Sequence, residues 1–272
     1  MKRLIFIAIL LLPTLSQGKV KINYTGDELP AKITVQIDKM MDYMWGYYSI
    51  FGLNEELEVE LKVFDKKKDG YRYMRSIYPD RPEYIEQPHD KIMGGGLAGV
   101  YIPAENMAVI LGMENGPEKA ISLIYHELSH HFTNKLFTKR SLVPTWLNEG
   151  LASHFGSLVV GRKNNIVSEF PHADKGKVKT MLMLGDLNLS KFLDMKHHEF
   201  MEIQRYEGQT NYSLAHVTIS VIMQNLDKKQ MSCLMGAIVN RKREDKVSDI
   251  IEEFYPGGIQ GLGSDILEFV SK

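Results

Sequence analysis

The chain has 272 residues, with 33 Lys and Arg against 34 Asp and Glu, for a net charge of −1. That balance argues against nucleic acid or an anionic membrane as partner, since both select basic surfaces. Cys233 is the one cysteine, so no internal disulfide is possible, and a chain that is 44% hydrophobic has apolar mass enough for a core without one.

Met1-Lys2-Arg3, the apolar run Leu4 to Leu12 and the small residues Ser16 and Gly18 have the pattern of a secretory signal peptide. The run is too short to span a bilayer. Maturation is expected near Gly18, before Lys19, and no cysteine follows that would carry a lipid anchor. Without Lys2 and Arg3 the balance is 31 basic to 34 acidic residues, a net of −3. The mature chain is therefore expected outside the cytoplasm, secreted or periplasmic, with no integral membrane span.

Two portions follow, 19–116 and 117–272, which together read as one continuous unit. Lys19 to Tyr24 alternates in polarity, as a short strand does. Pro30 to Phe51 is apolar at helical spacing and ends at Gly52. Leu57, Val59, Leu61 and Val63 alternate with Glu58, Glu60 and Lys62, which predicts a strand with one wet face. Tyr71 to Tyr78 forms a short amphipathic helix. Pro79 to Gly96 is a polar loop, and its Gly94-Gly95-Gly96 end either lets a substrate backbone approach or is an ordinary connection. Leu97 to Ile102 and Met107 to Leu111 pair as a hairpin around Pro103 to Asn106.

Everything after Gly116 reads as helical, over 117–136, 145–161, 174–184, 209–226, 228–241, 246–254 and 264–271. Asn115 is the expected cap of the first of these helices, with Pro117 in its first turn and Glu118 completing a capping box. Cys233 falls in the apolar stretch Met231 to Val239 and is expected to pack as a small hydrophobe. Strands first and helices after give an α+β class.

The decisive motif is His126-Glu127-Leu128-Ser129-His130. On a helix, positions i and i+4 share a face, so both imidazoles can reach one ion. Glu127 is turned away from that pair and can serve as a base rather than a ligand. Pro144 opens a second helix carrying Glu149 in Trp146-Leu147-Asn148-Glu149-Gly150. Two histidines and a carboxylate with a position left for water make a catalytic zinc site of one Zn2+. His131 is rotated off the ligand face, and His154 is the only other plausible ligand. His89, His172, His197 and His198 stand in polar surroundings and read as solvated.

These motifs resemble the gluzincin metallopeptidases, and the whole chain resembles the small bacterial peptidase MA-like families over roughly residues 57 to 225. Eighteen residues separate His130 from Glu149, as in the aminopeptidase-like clan. The metzincin pattern is absent, because Thr133 and Leu136 stand where its Gly and His belong. The resemblance implies a small mixed sheet against the zinc helix, closed by a C-terminal helical lobe. It also implies a tyrosine donor for the oxyanion, for which Tyr212 has the right place and Tyr206 is the nearest competitor. His216, one turn from Tyr212, is either a second donor or a core histidine. Thermolysin-like enzymes orient a zinc histidine with an acid four residues after the glutamate ligand. Ser153 stands there in this chain, so orientation must come from a backbone carbonyl or from Asn148. Gly112 to Asn115 echoes the substrate-amine motif of large aminopeptidases but lies too close to His126, and reads as a turn and cap.

Two functions fit. One is an exported zinc peptidase, endo- rather than exo-acting, with peptide or protein substrates. The other is a non-catalytic module of the same fold that binds polypeptide or cell-wall material. Retention of Glu127 favours the enzyme.

Overall fold

The computed structural model describes residues 20–80, 98–114, 116–137, 139, 142–161, 165–168, 170–185, 187–201 and 210–272. The expected signal peptide, the glycine triplet 94–96, His89 and Tyr206 lie outside the described residues.

The fold is α+β. Strand β1 (Val20–Gly26) leads into helix α1 (Ala31–Ile50), then β2 (Leu57–Val63) and α2 (Lys67–Ile77). The hairpin β3 (Gly99–Ile102) and β4 (Met107–Ile110) completes a sheet of order β1-β2-β4-β3. β1 and β4 run parallel to β2, while β3 is antiparallel to β4 and forms an edge among the described residues.

The alternation read in β2 sets the layers. Leu57, Val59, Leu61 and Val63 are buried, and with Ala108 and Ile110 they join the core under α1 and the next helix, α3 (Pro117–Leu136). On the other face α2 lays Tyr71 and Met74 over Ile102, Met107 and Val109. The rest of that outer face is wet. Glu58 accepts from Lys21 at 2.7 Å, and Glu60 accepts from Thr25 at 2.6 Å.

The helical lobe contains α4 (Thr145–Gly156), α5 (His172–Leu184), α6 (Leu189–Leu193), α7 (Thr210–Asn225), α8 (Lys228–Asn240), α9 (Val247–Phe254) and α10 (Gly258–Ser271). From Ser213 to Ile222 every residue of α7 is buried, as expected of a helix apolar or small on all sides. α4 packs between α3 and α7. A Cβ on Gly150 would lie 2.6 Å from the Ala215 carbonyl oxygen, so α4 can approach α7 this closely only without one. The main cluster of buried side chains runs from Leu29 to Val270, through both portions of the chain. Within it Tyr48 stacks on Phe132 and Phe155, and its hydroxyl meets Thr133 Oγ1 at 2.7 Å, fixing α1 to α3.

Four expectations need correction. The helix over 145–161 ends at Gly156, and Leu158–Val160 forms a hairpin, β5, with β6 (Ile166–Ser168). Val159 and Val160 are β-branched and follow the Ser157 cap, so strand geometry wins once the helix face is complete. Second, the N-cap of α3 is Gly116, with no side-chain cap, and Pro117 and Glu118 occupy the first turn; Asn115, the expected cap, lies outside the described residues. Third, Cys233 is exposed. The buried stripe of α8 is Met231, Leu234, Met235 and Ile238, and Cys233 falls off it. The last helix also begins earlier than expected, at Gly258, because its glycines mask the pattern.

Candidate metal centre

α3 delivers His126 and His130 from successive turns of one face, and their rings meet edge to face with centroids 4.9 Å apart. α4 brings Glu149 against them. Its Oε2 lies 3.6 Å from His126 Nε2 and 3.8 Å from His130 Nε2. The three side chains form the one group of possible metal donors among the described residues, with ligand atoms all within 4.8 Å of one another. Donors around a tetrahedral ion with bonds of about 2.0–2.1 Å stand about 3.3 Å apart, so the set fits such an ion with small adjustments.

The orientation of the ligands has a visible cause. Asn148 Oδ1 lies 3.0 Å from His130 Nδ1, which leaves Nε2 to face Glu149. Asn148 Nδ2 reaches Glu149 Oε1 at 3.5 Å, so one side chain touches two members of the group. This supplies the orienting contact that Ser153 does not. Burial opposes ionisation of Glu149, but His130 and His126 more than offset it and hold the carboxyl below its ordinary range.

Glu127 is 6% exposed and stands outside the converging donor set. Burial pushes its pKa up to about 7; Glu149 adds to the rise, while His130 and the Tyr101 backbone N–H, which donates to the carboxylate, hold it down. The edge strand β3 passes so near that a Cβ on Gly99 would lie 2.9 Å from Glu127 Oε1. Glycine there lets the strand approach the carboxylate.

The group opens into a cleft of about 950 Å³, bounded by β3, α3, the start of α4 and segments of the helical lobe. Tyr212 lines the same cleft. Its pKa is driven far up by burial, by the charges of Glu149 and Glu127, and by a hydrogen bond to Glu149. The hydroxyl also lies 3.8 Å from Met201 Sδ. His126, Glu127, His130, Glu149 and Tyr212 are thus brought together.

The other histidines sort differently. His216 is not part of the cleft lining; it is buried, with Nδ1 2.9 Å from Asp174 Oδ2 and its ring stacked on Phe170 at 4.1 Å. It is a core histidine. His154 is buried with Nδ1 3.0 Å from Ser220 Oγ and is not among the donors. Burial, helped by His216, lowers its pKa to about 3. His131 faces away from the ligands, with Nδ1 2.9 Å from the Tyr101 hydroxyl.

His197 is exposed, as its reading as a solvated residue expects, but its place in the cleft was not foreseen. It lies 3.5 Å from Thr145 Oγ1 and contributes to holding Glu149 ionised. No local pattern in Met195-Lys196-His197-His198 signals this, because the placement comes from how α6 meets α4. There Trp146 Nε1 donates to the Leu193 carbonyl at 2.9 Å.

Compared with protein-family models and with curated proteins, the chain matches none.

Proposed function

We propose that this chain is an exported zinc peptidase of gluzincin type that hydrolyses internal peptide bonds. The observation that carries the reading is Glu127. A buried carboxylate enters the cleft beside three converging donors without being one of them. A module that only held a metal or a polypeptide would have no use for a desolvated acid there.

His126, His130 and Glu149 would hold the ion. Two imidazoles and a carboxylate, with no thiolate, suit zinc. A zinc ion there supplies Lewis-acid activation of water and of the scissile carbonyl. Glu127 takes the proton of the attacking water on a carboxylate oxygen and later delivers it to the leaving nitrogen. Tyr212 donates its hydroxyl hydrogen to the carbonyl oxygen as charge builds on it. Asn148 keeps His130 turned toward the group. The edge strand β3, with Gly99, Val100 and Tyr101 on the cleft, suits an extended peptide backbone laid alongside it.

The signal-peptide pattern of residues 1–18 supports an extracytoplasmic site of action. No helix among the described residues is long and apolar enough to cross a membrane.

The test is hydrolysis of a mixed-sequence peptide library by the zinc-reconstituted protein, read by mass spectrometry. Cleavage should stop on chelation and fall by several orders of magnitude in Glu127→Gln, which should keep its zinc. Undiminished cleavage by Glu127→Gln, or none by the wild type, would overturn the reading.

A further inference from the structure

The charged residues of the cleft are unevenly signed. Among the described residues its acidic lining residues are Glu127 and Glu149, both assigned to the chemistry above. Lys196, Arg241 and Arg243 also line it, and so does His197. They come from two turns far apart in sequence, one after α6 and one between α8 and α9.

Arg241 is the built part of this stretch. It is half-buried, and its Nη1 donates to the Leu142 carbonyl, with Ile238 O a further acceptor at 3.5 Å. Burial lowers its pKa, while the charges of Asp245 and Asp194 act in the opposite direction. Both acids are engaged elsewhere. Asp194 accepts from Ser248 N at 3.0 Å and Ser248 Oγ at 2.6 Å, and Asp245 accepts from Lys242 N at 2.8 Å. Neither lines the cleft. They balance Arg241, which braces the Leu142–Pro144 turn at the start of α4.

Lys196 and Arg243 are different. Both are exposed, and neither has an ion-pair partner among the described residues. Two cations with no ion-pair partner among the described residues, on the wall of a concave site beside the N-terminal turn of α4 at Thr145, raise the local potential for anions.

We infer that Lys196 and Arg243, which line the cleft from two separate segments, form a subsite for a carboxylate of the bound peptide. This rests on the peptidase reading for the ligand being a peptide. The carboxylate is either an Asp or Glu side chain of the substrate or its C-terminal group. Charge steering of this kind selects among peptides and speeds their capture, and it weakens with salt.

The test uses the full mature chain as the zinc-loaded Glu127→Gln protein, and reads binding by fluorescence anisotropy. The probes are labelled, N-blocked hexapeptides with Glu or Gln scanned through each position, each made with a free and an amidated C-terminus. At low salt, a Glu-containing or free-carboxylate peptide should bind about five- to tenfold more tightly than its neutral counterpart. That ratio should collapse toward one when Lys196→Gln and Arg243→Gln are combined in the same background, and should shrink with added salt. A preference following Glu assigns the side chain, and one following the free terminus assigns the C-terminal group; either supports the subsite. Equal binding of charged and neutral peptides overturns it. So does a preference that survives the double substitution, which would mean the carboxylate goes to the metal. Wild-type hydrolysis of the same peptides is scored in parallel. Charge-selective binding without hydrolysis would sink the peptidase reading and leave the subsite standing.

Discussion

Asn148→Ala offers a test of the metal centre that needs no substrate. The side chain holds His130 Nδ1 at 3.0 Å and touches Glu149 Oε1 at 3.5 Å. Alanine removes both contacts, so the His130 ring can rotate and its tautomer is no longer fixed. Loss of such an orienting partner costs about 10–100-fold in metal affinity, or about 1.4–2.8 kcal/mol. The fold should not suffer. Asn148 is only half-buried and sits on a helix, where alanine is favoured by roughly 0.5 kcal/mol. Stability of the chelator-treated protein should therefore stay within about 0.5 kcal/mol of wild type. The assay is competition for zinc against a fluorescent chelator, with urea unfolding of the metal-free forms alongside. Asn148→Asp keeps an acceptor in place and should bind zinc at least as well as wild type. If Asn148→Ala binds zinc within twofold of wild type, the contact does not orient His130 and the reasoning is wrong.

Two further outcomes are expected. Tyr212→Phe should lower kcat by about a hundredfold to a thousandfold with a much smaller change in KM and almost none in thermal stability; full activity would remove Tyr212 from the mechanism. Buried His154, with its pKa lowered to about 3, contributes stability that is present above the unfolded value near 6.5 and is lost as pH falls below it. With chelator present, stability between pH 6 and 5 should therefore drop by up to about 1.4 kcal/mol per pH unit more in wild type than in His154→Gln, as chemical denaturation would measure; equal slopes would refute a buried neutral His154.

Much of the site could be read from the sequence because its geometry is local. The spacing of His126 and His130 is one helical turn, so helix periodicity predicts that this pair shares a face, while the convergence of Glu149 from the next helix was implied by the resemblance to the gluzincin spacing. The sequence left the orienting group open between a backbone carbonyl and Asn148, and the contact of Asn148 with His130 decides for Asn148. The burial of β2 followed its strict alternation. What escaped depends on contacts between distant segments. Leu158 to Val160 continues an apolar run, and only the end of α4 and the pairing with Ile166 to Ser168 make it a strand. Cys233 stands in an apolar stretch, but the face that α8 buries excludes it. His197, Lys196, Arg241 and Arg243 reach the cleft from two turns whose meeting no local pattern encodes.

The central claim is that His126, His130 and Glu149 form one zinc site, and metal content tests it most directly. The purified chain, reconstituted with zinc and freed of loose metal, should hold one zinc ion by elemental analysis, and His130→Ala should lose it while remaining folded. A wild-type chain that retains no zinc, or a His130→Ala variant with undiminished zinc, would contradict the account.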